Sequence, residues 1–445
     1  MVINMKWYQT TRNAVFVEQP VTETVPESSH KVVLTGEKKQ KIKGFGGCFN
    51  ELSAIALEKT SKENREKIYQ SLFGKEGLQL GFNRIPIGAS DYAAEWYSHD
   101  EYDDDYTMKH FSIERDYKYL IPYIKEAQKH YKGDMKFFAS PWSPPTWMKF
   151  PKACNYGRLR MEPEILKAYA LYFDKFIEAY EKEGIPIAQL HVQNEPFADQ
   201  KFPSCLWRAE DFRIFIRDYL GPHFEERKIN TDIFLGTLNG PEDMNFSSMG
   251  IKLDNYNKYV DTILFDEEAR KYIKGVGYQW AGRNAIGRTH ECFPELELIQ
   301  TENECGDGQN SWEYAQYMFN LMCHYLKNGV RAYTYWNMVL ETGGESTWGW
   351  RQNSMISIEP STGEVTYNPE YYVMKHYAHF IQPGAVRLET EGAWNSAAVA
   401  FENPNGSVVI EIQNAMDREE AVTLEHAEES ITVKLAPNSF NTFVL

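Results

Sequence analysis

The sequence predicts an α/β protein, a (β/α)8 TIM barrel with a side antiparallel β-sandwich domain built from both chain termini. From Lys41 to about Tyr377, short apolar runs alternate with longer helical patterns, the rhythm of parallel βα units. After about His379 the texture changes to short β-type runs separated by turn residues. The length of 445 residues suits a barrel of roughly 250 residues or more with long loops and an accessory domain. The expected units are 1–40 (strands joining the side domain), 41–378 (the barrel) and 379–445 (the side β-sandwich).

Eight runs carry the barrel pattern: Ile42–Phe49, Gln79–Ile87, Met135–Ser140, Ile187–Gln193, Ile233–Thr237, Gly275–Trp280, Leu296–Thr301 and Arg331–Trp336. Between the third and fourth, Glu164–Glu183 reads as an amphipathic helix. Pro163 suits its first turn, and Gly184 and Pro186 stop it. Trp312–Leu326 reads the same way, with Asn328-Gly329 as its end signal. The side domain should contain Ala397–Phe401, Ser407–Gln413, Glu419–Leu424, Ile431–Leu435 and Asn438–Leu445. Asn403-Pro404-Asn405-Gly406 would turn between the first two. Ala14–Val17 and Lys31–Leu34 are expected to complete that sheet, since chain termini often lie close together.

Composition narrows the function. Hydrophobic residues make up 42% and charged residues 25%, as in a water-soluble globular domain. Acidic residues outnumber basic ones 63 to 47, and the net charge of −16 repels phosphate backbones and anionic bilayers. Nucleic acid and stable membrane association are therefore not expected; a homo-oligomer stays open. The start, Met1-Val2-Ile3-Asn4-Met5-Lys6-Trp7, lacks the pattern of a secretion signal and no run is long enough to span a bilayer, so a cytoplasmic location is expected. Cys48, Cys154, Cys205, Cys292, Cys305 and Cys323 are scattered, with no CxxC pair, and read as free thiols. Asp103-Asp104-Asp105 reads as a solvated loop rather than a metal site. Aromatic residues reach 14%, which suits both a large core and sugar stacking.

Two carboxylates sit where barrel strands give way to loops: Glu195 in His191-Val192-Gln193-Asn194-Glu195-Pro196, and Glu302 in Gln300-Thr301-Glu302-Asn303-Glu304. The carboxyl ends of barrel strands form one face, where residues distant in sequence meet. Glycoside hydrolysis with retention needs such a pair, one carboxylate as nucleophile and one acid to protonate the leaving oxygen, roughly 5–5.5 Å apart. Glu302 is assigned as nucleophile and Glu195 as acid/base. The charge of one raises the pKa of the other, and esterification of Glu302 then frees Glu195 to act as base. Asn194 is suited to the sugar 2-hydroxyl. Glu51 and Glu304 are competing carboxylates, and His191 and His290 read as structural.

Four segments, in order, resemble glycoside hydrolase family 30, which includes glucosylceramidases. They are Gly44-Phe45-Gly46-Gly47, Ala139-Ser140-Pro141-Trp142-Ser143-Pro144-Pro145-Thr146-Trp147-Met148-Lys149, Asn194-Glu195-Pro196 and Thr301-Glu302. The resemblance implies a barrel with a side β-domain formed by both termini, a retaining mechanism, Glu195 as acid/base, Glu302 as nucleophile, and no metal or other cofactor. By the same matching, Asp91 and Trp142 hold hydroxyls of the terminal sugar; a loop cap and a core ring are their alternatives.

Arg84 ends the second strand and can hold Glu302 ionised, with a rim salt bridge as the alternative. Tyr278, Gln279 and Trp280 end the sixth strand and Trp336-Asn337 the eighth, so their side chains could ring the same mouth, with Trp280 and Trp336 as the best stacking candidates against packing in the core. The loop Glu341–Arg351 departs from the glucosylceramidase pattern, which weighs against a sphingolipid substrate. The expected activity is an exo-acting β-glucosidase on small soluble β-glucosides or oligosaccharides. The rivals are an endo-acting β-1,6-glucanase or xylanase, and a catalytically idle carbohydrate-binding protein.

Overall fold

The computed structural model describes residues 5–21, 25–239 and 256–445; residues 1–4 of the amino-terminal segment considered above lie outside them. Eight parallel strands close into a barrel: Gly44–Cys48, Phe82–Ile87, Lys136–Pro141, Ile187–His191, Asp232–Leu238, Ile273–Gln279, Glu297–Glu302 and Val330–Asn337. Each overlaps an expected run. The second strand starts at Phe82 rather than Gln79 because Gln79 takes left-handed backbone, φ 53°, which cannot extend a strand.

Residues two apart on a strand share a face. Phe82, Phe138, Phe234, Ile299 and Ala332 form one apolar layer, with the His191 ring 4.9 Å from those of both Phe138 and Phe234. Two residues further along their strands, toward the carboxyl ends, lie Arg84 and Ser140. An apolar plug thus supports a polar layer above it. Gly46 makes the closure possible, since a Cβ there would stand 1.6 Å from the Phe82 carbonyl oxygen.

The two expected helices run Pro163–Lys182 and Trp312–Lys327, the second capped by Ser311, whose hydroxyl accepts from the Tyr314 N–H at 3.3 Å. No helix among the described residues is long and apolar enough to cross a membrane.

The side domain is one nine-stranded sheet wrapped around its own apolar core, with contributions from both ends of the chain. All five expected carboxyl-terminal strands are present, and Val386–Glu391 adds another. At the amino end the expectation needs correction. The strands are Lys6–Thr10, Val17–Gln19 and Lys31–Lys41, so Ala14–Val17 is mostly turn. Polar residues are buried in the first of these and mask its period: Trp7 and Gln9 both donate to Asn441 Oδ1, at 3.0 and 2.9 Å. Thr10 meets His376 of the last barrel helix, Pro369–Phe380, at 2.8 Å, which ties the two domains together.

Candidate active site

Arg84 organises the carboxyl-terminal face. Its side chain is fully buried, and Nη1 donates to Glu302 Oε2 at 2.5 Å. Nη2 donates to Asn194 Oδ1 (2.7 Å), Ser140 Oγ (2.8 Å) and Thr237 Oγ1 (3.2 Å). The guanidinium lies 4.5 Å from the Trp142 ring centre and 5.4 Å from that of Trp336. Gln279 repeats the pattern from the sixth strand, its Nε2 donating to Glu302 Oε2 (2.9 Å) and Asn194 Oδ1 (2.8 Å).

These contacts are one-sided. Glu302 Oε2 receives two donors, while among the described residues Oε1 has no hydrogen-bond partner, so one oxygen is fixed and the other is left open where the residue lines the cavity. Asn194 Oδ1 accepts from Arg84, Gln279 and Thr237, the last at 3.0 Å, which leaves its Nδ2 as the donor toward a ligand.

Glu195 follows on a strained backbone, with φ 45° in the left-handed region, a conformation that costs of order 1–3 kcal/mol for a residue with a side chain. The surroundings hold it there. The Asn194 N–H donates to the Pro141 carbonyl (2.7 Å) and the Glu195 N–H to that of Thr237 (3.0 Å), so the segment is pinned to the third and fifth strands. The turn brings the Glu195 carboxyl into the same 660 Å³ cavity as Glu302, Asp91, Trp142 and Asn194.

Burial pushes the Glu195 carboxyl well above the usual carboxylate range, and the charges of Glu302 and Asp91 push it further. Burial also raises Glu302, but there the Arg84 guanidinium works directly against it. Asp91 is raised by burial and then by Glu302; its Oδ1 is buried and has no hydrogen-bond partner among the described residues. The order of ionisation follows from the contacts. Glu302, with a guanidinium and an amide N–H on one oxygen, ionises first, and Glu195 keeps its proton. A carboxylate and a carboxylic acid facing one cavity can attack and protonate the same bond.

The structure places the remaining predicted residues unequally. Trp280 lines the cavity. Trp336 does not; it is 1% exposed and packs behind Trp142, ring centres 5.0 Å apart. Tyr278 is a correction. It is wholly buried and faces outward, its hydroxyl bonded to Thr289 of the helix Arg283–Cys292. Adjacent strand residues point to opposite faces, so it is Gln279 that points inward. Gln279 was expected at the mouth from its place at the end of the sixth strand, whereas Thr237 and Ser140 were not among the predicted site residues; the only cue to them was their place at the ends of predicted strands. Glu51 lies outside the cavity and pairs with Arg115 at 2.8 Å, whereas Glu304 lines it. His191 is held below its usual pKa by burial, and so stays neutral under the site. All six cysteines are free thiols. Asp103 pairs with Lys152 at 2.5 Å on the surface. A second cavity of 700 Å³ lies at the opposite end of the fifth and sixth strands, lined by residues such as Lys228, Asp232 and Lys274, far from the paired glutamates.

Residues 42–381 match the glycosyl hydrolase family 30 TIM-barrel domain, and residues 384–443 match the family's beta sandwich domain. The chain belongs to glycoside hydrolase family 30. Among its family 30 relatives, the putative glucosylceramidase 1 of Caenorhabditis elegans is 31% identical over 95% of this chain and 82% of its own. The endo-1,6-beta-D-glucanase of Neurospora crassa is 23% identical over 92% of this chain and 86% of its own. The crystal structure of SrfJ from Salmonella typhimurium superposes with a TM-score of 0.89, at 23% identity over 99% of both chains, which shows that the fold is shared. This family 30 protein is therefore a glycoside hydrolase, and its substrate is a carbohydrate.

Proposed function

We propose that this enzyme is a retaining, exo-acting β-glucosidase on small soluble β-glucosides or oligosaccharides, with Glu302 as nucleophile and Glu195 as acid/base. The observation that carries the reading is the unequal setting of the two glutamates in one cavity. Among the described residues, Glu302 has one oxygen held by Arg84 and Gln279 and the other without a partner, while no counter-ion is in hydrogen-bond contact with Glu195.

In the first step a lone pair of Glu302 Oε1 forms a bond to the anomeric carbon. The bond from that carbon to the aglycone oxygen breaks, and its electron pair takes the proton of Glu195. The ester so formed removes the Glu302 charge, and with it the second largest force keeping Glu195 protonated. Glu195 then accepts a proton from water, whose oxygen displaces Glu302 and restores the starting configuration. Asn194 Nδ2 and Asp91 would bind hydroxyls of the terminal sugar, and Trp142 would bound its ring. Asp91 and Trp142 are buried walls of the cavity, with Trp336 packed behind Trp142, and this supports release of single terminal sugars.

A cytoplasmic location is part of the proposal; activity recovered in the membrane or secreted fraction would oppose it. The name of the Neurospora relative favours a second reading, endo cleavage of β-1,6-linked glucan. Internal cuts in such a glucan, rather than release of glucose from one end, would establish it.

The test of the mechanism is chemical rescue. Glu302→Ala should abolish turnover. On an activated aryl β-glucoside, azide should rescue Glu195→Ala better than Glu302→Ala, giving a glucosyl azide of retained configuration. Wild-type rates in either variant would refute the assignment, and turnover of an aryl β-glucoside by the unmodified protein would dispose of the idle binding protein.

A further inference from the structure

We propose that Trp350 is the stacking platform of an aglycone subsite that takes a glucosyl unit of a gluco-oligosaccharide, with the next unit in the depression beyond it. This deepens the β-glucosidase reading and rests on it.

The cavity holding Glu195 and Glu302 does not end at the glutamates. It continues to Phe202, Gly306 and Trp350. A second, open depression of 540 Å³ begins at Gly306 and Trp350, and its other walls are Asp307, Glu345, Gly349 and Arg351. The two spaces share one aromatic ring. Trp350 is 41% exposed, whereas Phe202, which meets it edge-on at 5.9 Å, is 6% exposed and backs the ring from the loop after the fourth strand.

The ring stands on a fixed base. The Trp350 N–H donates to Ser346 Oγ (3.0 Å), and its carbonyl accepts from the Ser346 N–H (2.7 Å) and the Tyr92 hydroxyl (3.2 Å). Tyr92 also donates to the Gly344 carbonyl (2.7 Å), and Thr347 Oγ1 to that of Ala93 (2.6 Å), so the loop Glu341–Arg351 is clamped to the loop after the second strand. A side chain ordered before binding loses little entropy when ligand arrives.

The walls say which ligand fits. One aromatic face among carboxylates, a guanidinium and glycine backbone offers a flat apolar patch with a polar rim. That matches a pyranose, which is apolar on its C–H face and bears hydroxyls around its edge. An acyl chain would need a continuous apolar lining, and Asp307, Glu345 and Arg351 would lie against it without replacing the water it displaces.

The full-length enzyme and its Trp350→Ala and Trp350→Phe variants would be assayed on three probes. β-Glucosyl fluoride has no aglycone ring and reports the glycone site alone. The β-1,3-, β-1,4- and β-1,6-linked gluco-disaccharides and trisaccharides report the first and second aglycone positions. In the wild type at least one trisaccharide should exceed its disaccharide in kcat/KM. In Trp350→Ala the ratio of trisaccharide to fluoride should fall about tenfold or more, mainly through KM, and Trp350→Phe should recover most of it. The proposal is overturned if that ratio is unchanged, if Phe recovers nothing, if no trisaccharide exceeds its disaccharide, or if glucosyl fluoride is hydrolysed but no gluco-oligosaccharide is. Failure of the wild type on glucosyl fluoride would instead remove the β-glucosidase reading, and this proposal with it.

Discussion

Replacing Arg84 by methionine keeps an unbranched apolar side chain at that position and removes the guanidinium, which touches Glu302, Asn194, Ser140 and Thr237 and lies over Trp142. The contact to Glu302 is a charge-assisted bond at 2.5 Å between an unexposed guanidinium and a carboxylate with 9% side-chain exposure, so solvent screens it little. A hydrogen bond to a charged group contributes about 1.5–3 kcal/mol, and about 1.4 kcal/mol is a factor of ten, so its loss favours protonated Glu302 by roughly 10–100-fold. Burial already pushes this carboxyl upward with Arg84 opposing it, so the variant moves it further in the same direction. The acid limb of the kcat/KM profile, which would follow ionisation of the proposed nucleophile, Glu302, in the free enzyme, should move to higher pH. On that limb the variant should be about 10–100-fold slower than wild type, with the deficit shrinking as pH rises. Measuring kcat/KM for an aryl β-glucoside across pH checks this. A loss of activity that is uniform across pH, with the acid limb unmoved, would show that Arg84 does not keep Glu302 ionised. Arg84→Lys should move the limb less, because it retains the charge but loses the fork.

Lys149 is 2% exposed, and its Nζ donates to the carbonyls of Ser204 (2.6 Å) and Cys154 (3.0 Å), bracing the loop that carries Phe202. Lys149→Met should lower unfolding free energy by about 1–3 kcal/mol in denaturant titration and raise KM more than it lowers kcat. Buried Glu370, which accepts from Asn353 at 2.7 Å, has its carboxyl raised from 4.5 to about 7 by burial. Below about pH 4.5 it is protonated whether the chain is folded or not; between 4.5 and 7 only the unfolded chain releases the proton, and the folded state loses stability as pH rises. Glu370→Gln should therefore gain on wild type across that window, by up to about 3 kcal/mol, and a pH-independent difference would contradict this. Two carboxyl groups suffice for the proposed displacement, so chelator treatment should leave turnover of an aryl β-glucoside unchanged, and its loss would reopen a metal-assisted route.

Much of this protein was legible before any coordinates. Apolar runs of strand length alternating with helical periods place all eight barrel strands, because burial of a parallel strand depends on local composition. The position of Glu195 and Glu302 just where those runs end puts both on the carboxyl-terminal face of the barrel. The side domain was readable where its strands are apolar, but the strand Lys6–Thr10 was hidden because Gln9 and Thr10 are buried through hydrogen bonds rather than hydrophobicity.

Inward and outward positions in the barrel were not legible. A strand covered on both faces is apolar on both, so no alternation marks whether Tyr278 or Gln279 faces the cavity. Closure of the barrel settles that, and it also decides that Arg84 and Gln279, from two different strands, converge on the Glu302 carboxylate while Asn194 and Thr237, from two more, bond to both of them. The meeting of Phe202 with Trp350 is of the same kind. Local pattern sets which elements form and which residues stand at their ends, whereas partners far apart in sequence are chosen by how the elements pack.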